Sequence, residues 1–139
     1  MIKRKVQSIL VFCDANKQNQ FLLLRTNNRR GNFWQNVTGG VDEGESFKDA
    51  ALREAMEETA IDKENIADLR SIEFTFNFHD QWGNDVHEEV FLIRCKSKFD
   101  VIIDPSEHEE FKWVKESELN RDSVKFESNW KALQKAMEE

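Results

Sequence analysis

The sequence predicts an α/β fold in which one mixed β-sheet is covered by helices on both faces. Three observations lead to this prediction. Segments rich in apolar, β-branched and aromatic residues lie both before and after one clearly helical segment at residues 46–59. A second helical segment is predicted near the end of the chain, at residues 127–138. The 139 residues contain one proline and neither a repeat nor a low-complexity tract, so we expect a single domain over residues 1–139.

The first part of the chain predicts strands. Residues 4–13 and 20–25 are largely apolar, and the turn-like sequence DAN between them indicates a β-hairpin. A polar, basic loop follows at residues 26–32. The aromatic and β-branched stretch at residues 33–38 then runs into glycine. These segments lead directly to the central helix.

The start of the central helix is marked by glycines and a cap. Three of the five glycines of the chain precede it, at Gly39, Gly40 and Gly44. Glycine permits a sharp turn and a close approach of the backbone to a ligand. Ser46 is a typical N-cap residue, and an aspartate three positions later gives an approximate capping box. We therefore expect a glycine-rich loop that ends at a capped helix.

The helix separates an apolar arc from an acidic one at 100° per residue. The arc predicted to pack on the sheet comprises Leu52, Ala55, Met56 and Thr59. The opposite arc carries Glu54, Glu57 and Glu58 at i, i+3 and i+4, where like charges repel. A divalent cation held by carboxylates would remove this repulsion, whereas a solvated acidic face is the more frequent explanation of a glutamate-rich helix. The glycine loop, Glu45 and Arg53 favour the cation.

The remaining elements follow from alternation and from turns. Phenylalanines at alternate positions within residues 72–78 predict a half-buried strand. A turn at residues 82–85 leads to a strand at 87–95, and a short strand is expected at residues 111–114.

Composition argues against several classes of protein. The formal net charge of −7 disfavours a nucleic-acid-binding surface as the main function. No apolar run approaches the roughly 20 residues of a membrane helix, and the basic, then apolar N-terminus resembles a first strand more than a signal peptide. Cys13 and Cys95 provide neither a zinc spacing nor a disulfide framework, so we expect the protein to reside in the reducing cytoplasm. The three histidines share no ligand spacing and predict no zinc site.

The segment around the central helix resembles the box of the Nudix hydrolase family, whose usual form is G-x5-E-x7-R-E-U-x-E-E-x-G-U with U a bulky aliphatic residue. The matching positions are Gly39-x5-Glu45-x7-Arg53-Glu54-Ala55-x-Glu57-Glu58-x-Ala60-Ile61. Every ionic position matches. Ala55 and Ala60 depart from the pattern, and Ala60 stands where a glycine normally caps the helix. The resemblance implies a Nudix-type α/β/α sandwich with a mixed β-sheet.

Further segments are similar to the bacterial dihydroneopterin triphosphate pyrophosphatase branch of that family. They are FWQNVTGG at residues 33–40, Glu107-His108, the FKW sequence at residues 111–113, and Ser128-Asn129. The segment from residue 70 to residue 90 looks shorter than in that branch. We expect substrate choice to depend on this segment.

The resemblance implies a metal site and a catalytic group. Carboxylates of the family's box helix hold Mg²⁺ or Mn²⁺ against a diphosphate. By match, the metal ligands are Glu54, Glu57, Glu58 and Glu107. The catalytic group comprises Glu57, Glu58, Glu107 and Arg53. Glu107 matches a base or extra ligand from a later loop, although an exposed glutamate is an equally good explanation without the resemblance. Glu45 and Arg53 are expected to hold the loop and the helix.

The resemblance also implies the residues that bind substrate, which are Arg4, Arg25, Thr38 and Ser128. Arg29 and Arg30 could meet phosphates, but a flexible solvated loop is the favoured interpretation. Trp34 and Phe76 could stack on a purine or pterin ring, whereas aromatics in predicted strands more often belong to the core.

Taken with the resemblance, these residues predict a Mg²⁺-dependent pyrophosphohydrolase that cleaves a phosphoanhydride bond of a small nucleotide-like triphosphate and releases pyrophosphate. Dihydroneopterin triphosphate is the first candidate substrate. The alternatives are a (d)NTP pyrophosphatase, a dinucleoside polyphosphate hydrolase and a non-catalytic nucleotide-binding scaffold. A plain interaction domain would explain the acidic face but not the spacing from Gly39 to Ile61.

Overall fold

The computed structural model describes residues 2–139. In that range one sheet contains seven strands: β1 (Ile2–Cys13), β2 (Asn19–Thr26), β3 (Trp34–Gln35), β4 (Val37–Gly40), β5 (Ile66–His79), β6 (Asp85–Cys95) and β7 (His108–Lys115). Two α-helices, α1 (Phe47–Thr59) and α2 (Glu127–Met137), cover it. Short 3-10 turns lie at Lys63–Asn65, Glu116–Glu118 and Arg121–Ser123. This confirms the predicted α/β class and the Nudix-type α/β/α sandwich.

The sheet is mixed because β1 has both parallel and antiparallel neighbours. The strand order is β3-β2-β1-β6-β5, with β4 on β1 and β7 on β2. β1 is parallel to β6 from the Ile2–Asp85 pair to the Phe12–Cys95 pair, and antiparallel to β2 and β4. The predicted hairpin, the glycine-ending stretch and the later strands are therefore present. β7 is longer than the predicted strand at residues 111–114.

Alternation along β1 divides the core into two layers. Ile9 and Val11 pack with Leu133 of α2, and we call this side of the sheet the α2 face. Leu10 and Phe12 belong to the cluster that contains Ala55 of α1, and we call this side the α1 face. The register of β2, β4 and β6 with β1 extends this assignment to those strands.

Helix α1 begins as predicted, but the predicted packing arc is only partly correct. Ser46 is the N-cap and accepts a hydrogen bond from the Asp49 backbone N–H at 3.1 Å. Ala55 and Thr59 are buried, whereas Met56 is 36% exposed. The helix instead buries small alanines beside Glu54 and Glu58. Small side chains let the helix lie close to the sheet, and the two carboxylates lie within the protein as a result.

Helix α1 ends at Ala60, which occupies the position of the expected glycine. Ala60 has φ 60° and ψ 27°, the left-handed conformation, and its N–H donates to the Met56 carbonyl. A Cβ makes this conformation unfavourable by roughly 1 kcal/mol. Alanine in place of glycine therefore keeps the left-handed cap conformation, but at the cost of backbone strain at residue 60.

The tryptophans are divided between the faces. Trp34 and Trp130 pack against the core of the α2 face. Trp113 lies on the α1 face, with its ring centroid 5.1 Å from that of Phe12. Trp82 lies in the turn between β5 and β6 and is 71% exposed.

Within residues 2–139, neither helix is long and apolar enough to span a bilayer.

Candidate active site

The loop before α1 brings the backbone of β4 against the first acidic residue of the helix. Gly39 pairs with Val6 of β1. A Cβ on residue 39 would overlap the carboxyl group of Glu54, whereas a Cβ on Gly40 would meet open space. Glycine at position 39 therefore allows the Glu54 carboxyl group to lie directly on the sheet.

Arg53 is the centre of an ion-pair network. Its Nε and Nη2 donate to the two carboxylate oxygens of Glu45 at 2.8 and 2.9 Å. Nη2 also donates to the Gly40 carbonyl at 2.8 Å, and Nη1 donates to Glu54 at 2.9 Å and lies 3.3 Å from Glu57. These hydrogen bonds raise the pKa of Arg53, and the bond from Arg53 is the main reason that the pKa of Glu45 falls to about 2. One guanidinium thus links the loop to the helix.

Glu54 lies in a less favourable place for a negative charge. It is 8% exposed, and burial raises the pKa of its carboxyl group to about 7, although the hydrogen bond from Arg53 acts in the opposite direction. A carboxylate that loses hydration in this way gains from a nearby cation.

Glu58 faces Glu107 and His108. One potential ligand atom of each of the three residues lies within 4.8 Å of the others. Gln35 Nε2, a donor only, lies 3.1 Å from His108 Nε2, so the ring proton is assigned to Nδ1. His108 Nδ1 is 2.9 Å from Glu58 Oε2, but the two are not aligned for a hydrogen bond, and among the described residues neither atom has another partner.

This chemistry fits a divalent cation. Hard cations prefer carboxylate oxygens, and the buried Glu58 Oε2 is such an oxygen without a hydrogen bond within the described part of the chain. The close approach of Gly39 to Glu54 places a second buried carboxyl group on the same helix face, four residues earlier. At both Glu58 and Glu54, a bound cation would compensate for the hydration that the carboxyl group loses on burial.

The predicted metal ligands do not form one group. Glu58 and Glu107 are brought together with His108. Glu54 is turned towards Arg53 and Gly39. Glu57, whose side chain is 55% exposed, contacts Arg53 from the rim. The assignment of these four carboxylates to a metal stays a prediction.

Two of the predicted substrate-binding residues are engaged elsewhere. Arg4 donates to the backbone carbonyls of Asp42 at 3.1 Å and Glu45 at 3.3 Å, so it holds the glycine loop on the α1 face. Arg25 lies 3.4 Å from Glu109 on the edge formed by β2 and β7. Neither guanidinium contacts Glu58.

The other two predicted substrate-binding residues lie near each other on the α2 face. Thr38 pairs with Gln7 in the β1–β4 register, so their side chains share a face. Gln7 Nε2 lies 3.5 Å from the Ser128 carbonyl at the start of α2. Gln7, which has 0% exposure, therefore connects the two.

Among the buried polar residues that were not predicted as site residues, four stand close to the groups described above. They are His108 on the α1 face and Gln7, Asn36 and Glu88 on the α2 face. Asn36 and His108 lie within the quoted sequence matches, but the matches assign them no role. A polar residue inside an otherwise apolar strand is the sequence signal for Gln7 and Glu88, since such a residue is costly to bury without a partner.

The basic loop at residues 26–32 consists largely of exposed and half-buried residues and contacts the acidic loop that carries Glu107. Arg29 donates to the Ser106 carbonyl at 2.7 Å, and Arg30 donates to Glu107 at 3.1 Å. Asn27 adds a bond to the Pro105 carbonyl at 3.1 Å. The acidic loop that carries Glu107 thus provides partners for both arginines, while Arg29 stays exposed to solvent.

Comparison with known proteins gives consistent relatives. The family model described as NUDIX domain matches residues 3–135. A dihydroneopterin triphosphate diphosphatase from Haemophilus influenzae is 32% identical over 139 residues, which cover 93% of this chain and 85% of that protein. An RNA pyrophosphohydrolase from Wolbachia pipientis is 29% identical over 106 residues, which cover 68% of this chain and 65% of that protein.

The fold also matches solved structures. The crystal structure of a C. elegans Ap4A hydrolase in a binary complex superposes with a TM-score of 0.79 and 23% identity, covering 98% of this chain and 96% of that chain. At this identity the likeness concerns the fold alone.

Proposed function

The chain belongs to the Nudix family, and from that premise we propose that it is a Mg²⁺-dependent pyrophosphohydrolase of a nucleotide-like triphosphate, with dihydroneopterin triphosphate as the first substrate to test. The observation that carries the proposal is the buried carboxyl pair of α1. Glu54 lies under Gly39, and Glu58 lies beside Glu107. Both are positions at which the match to the family motif implies a metal-binding carboxylate.

Nudix hydrolases generally use a divalent metal, and the residues proposed to hold it are Glu54, Glu57, Glu58 and Glu107. When bound, the cation would neutralise charge on the phosphate oxygens and make water a better nucleophile. Mg²⁺ fits because it is commonly held by a few carboxylates together with substrate phosphates. Mn²⁺ is the second candidate.

The chain's own residues hold and orient the reacting groups. Arg53 joins Glu45 of the loop to Glu54 and Glu57 of the helix, and so fixes the carboxylates before substrate arrives. Glu107 is proposed to accept the proton of the attacking water. Its present partner is Arg30, at 3.1 Å, and an incoming phosphate would compete for that guanidinium.

The proposed substrate follows from the 32% identical relative and from the α2 face. Thr38 and Ser128 both lie beside Gln7 there, and they are proposed to contact the part of the substrate beyond the phosphates. Arg4 and Arg25 are proposed as phosphate contacts. Each would first have to leave its present partners, the Asp42 carbonyl and Glu109.

Other substrates of the same chemistry are ranked below the pterin. The relative named RNA pyrophosphohydrolase suggests an RNA 5′ end, but a formal net charge of −7 disfavours long polyanions. Dinucleoside polyphosphates and (d)NTPs are retained as alternatives. A non-catalytic scaffold is last, because every ionic position of the motif is present.

The test is a product assay that resolves pyrophosphate from phosphate. Purified protein with Mg²⁺ is given dihydroneopterin triphosphate, the common (d)NTPs, diadenosine tetraphosphate and a 5′-triphosphorylated oligonucleotide. We expect pyrophosphate from the pterin at the highest kcat/KM, and loss of turnover with a chelator that is restored by Mg²⁺. Preference for another compound would reassign the substrate. Turnover of none, with either Mg²⁺ or Mn²⁺, would contradict the hydrolase.

A further inference from the structure

A group of buried polar side chains on the α2 face is incompletely paired. We call Gln7, Asn36, Glu88 and Asn129 the amide cluster. Each is at most 3% exposed. They come from β1, from the residue between β3 and β4, from β6 and from α2. Polar groups buried at this cost are normally fully hydrogen-bonded, so any atom left over requires an explanation.

The hydrogen bonds fix the orientation of each amide. Asn36 Nδ2 donates to Gln7 Oε1 at 3.0 Å and to the Asn129 carbonyl at 3.3 Å. Gln7 Nε2 donates to Glu88 Oε1 at 2.9 Å. Asn129 Oδ1 accepts from the Asn36 backbone N–H at 2.8 Å. Reversing either the Asn36 or the Gln7 amide would place acceptor against acceptor, so the network admits one arrangement.

The atoms left over are two acceptors, Asn36 Oδ1 and Glu88 Oε2, and one donor, Asn129 Nδ2, which donates no side-chain hydrogen bond among residues 2–139. Asn36 Oδ1 is buried and has no hydrogen-bond partner among residues 2–139. In the same described range, Glu88 accepts a side-chain hydrogen bond only at Oε1, from Gln7, which leaves Oε2 available. Burial raises the pKa of Glu88, in opposition to that hydrogen bond. A ligand that completes this cluster must therefore bring hydrogen-bond donors for the two oxygens and can offer an acceptor to the Asn129 amide.

The surroundings suit a flat ring. Phe76 of β5 pairs with Glu88 of β6, so its ring lies beside the carboxyl group on the same face. Lys5 pairs with Glu88 from the other side, and Thr38 is opposite Gln7. An aromatic side chain next to unfilled acceptors can contact both the face and the edge of a heterocycle.

We propose that the amide cluster recognises the donor edge of the substrate's heterocycle, with Glu88 accepting from a ring N–H and from the adjacent exocyclic amino group. This pair of donors belongs to the 2-amino-4-oxopyrimidine edge that pterin and guanine share. A carboxylate meets two parallel donors with both oxygens, the strongest such geometry. Adenine would present a ring acceptor to Glu88, and hypoxanthine lacks the amino donor. The inference rests on the proposed hydrolase function and adds Glu88 as its specificity-determining residue.

The first experiment compares nucleotides that differ by one donor. For the wild-type protein we expect kcat/KM for dGTP to exceed that for dITP, which lacks only the exocyclic amino group, on the order of ten- to a hundredfold. The triphosphate of 2-aminopurine deoxyriboside, which lacks the ring N–H, should lose a similar factor. Equal kcat/KM for dGTP and dITP would overturn the proposal without any variant.

The second experiment uses the isosteric change Glu88→Gln. A glutamine places an N–H against one ligand donor, so the dGTP preference over dITP should fall to near unity, chiefly through KM. Glu89→Gln is the matched control, since Glu89 is the next residue on β6 and lies on the opposite face. An unchanged dGTP to dITP ratio in Glu88→Gln would contradict the assignment.

A binding measurement separates this inference from the hydrolase proposal. Dihydroneopterin, guanosine and inosine, none of which carries a phosphate, are titrated against wild-type protein and Glu88→Gln. Wild type should bind the first two more tightly than inosine, and the variant should lose this difference. The ratio of the dihydroneopterin to the guanosine affinity identifies which of the two rings the cluster takes. If no triphosphate is hydrolysed but this pattern holds, the hydrolase proposal alone fails. If turnover occurs but neither ring is favoured over inosine, the amide cluster assignment fails.

Discussion

The two faces of the sheet hold polar groups in opposite ways. On the α1 face one guanidinium joins several acidic groups: Arg53 bonds to Glu45, to Glu54 and to the Gly40 carbonyl, at most 13 residues away. On the α2 face the bonds run between neutral amides and one carboxyl group, over separations of 29, 81 and 93 residues. The Arg53 network of the first site is built by one segment of chain, to which a later segment adds Glu107 and His108 beside Glu58, whereas the second site is built by the whole fold.

This difference indicates a division of work. A contiguous segment can hold several carboxylates in one spacing, which is what a cation requires. A set of side chains drawn from four parts of the chain can instead match the outline of one particular ring. We therefore expect changes on the α1 face to alter the rate of reaction and changes on the α2 face to alter the choice of substrate.

The largest effect should come from Glu58→Gln on the α1 face. The change keeps shape but removes the charge beside Glu107 and His108, so kcat/KM should fall about a thousandfold while the fold persists. Steady-state kinetics and circular dichroism measure the two quantities. Glu64→Gln, on an exposed 3-10 turn, is the control. A kcat/KM within tenfold of the wild-type value would contradict the proposed difference between the two faces, because the α1 face would then not carry the chemistry.

Gly39→Ala should have the next largest effect, and Gly40→Ala is its matched control. A Cβ at position 39 overlaps the Glu54 carboxyl group, whereas one at position 40 meets nothing within 4 Å. We expect Gly39→Ala to lower the free energy of unfolding by about 1–3 kcal/mol and to weaken Mg²⁺ binding. Urea unfolding and calorimetric titration test this. Similar results for both variants would mean that the close approach to Glu54 is unimportant.

Glu88→Gln sharpens the comparison through pH. The pKa of Glu88 is raised in the folded protein, so folding favours its protonated form, and the wild type loses stability as pH rises from the ordinary carboxyl range through the raised pKa. Glutamine does not titrate. The variant should therefore gain stability relative to wild type across that window, by about 1.4 kcal/mol per unit of pKa shift, with no further change above it. Urea unfolding at several pH values measures the difference. A pH-independent difference would show that Glu88 is not affected by burial.

The smallest effect is expected for Ala60→Gly at the end of α1. Glycine adopts φ 60° without the Cβ penalty, so the free energy of unfolding should rise by roughly 0.5–1 kcal/mol and Tm by a few degrees. Neither kcat nor the substrate preference should change. A loss of stability would mean that the backbone entropy of glycine outweighs the relief of strain at the cap.

The same contrast explains how much the sequence could predict. The motif from Gly39 to Ile61, the N-cap at Ser46 and the mixed α/β/α sandwich follow from local spacing and from family resemblance. The arc of α1 that packs on the sheet was predicted only in part, because Leu52 and Met56 look like core residues when only side-chain type is considered. In the structure small alanines give the closer fit, and Glu54 and Glu58 are buried with them.

The amide cluster was beyond prediction for a physical reason. Gln7 and Glu88 are 81 positions apart and meet because β1 and β6 are parallel neighbours. Neither the register of that pair nor the position of Asn129 over it can be obtained from local patterns. Likewise, Arg30 resembles a solvent-exposed side chain until the loop that carries Glu107 is brought beside it.

Because the tryptophans are divided between the faces, their fluorescence can report which face of the sheet a ligand occupies. The chain contains no tyrosine and four tryptophans, so its near-ultraviolet fluorescence comes almost entirely from the indoles. Trp34 and Trp130 report on the α2 face, and Trp113 reports on the α1 face. Trp82, at 71% exposure, can be replaced by phenylalanine to reduce background emission. A heterocycle that quenches Trp34 while leaving Trp113 unchanged would reveal the occupied side without a label.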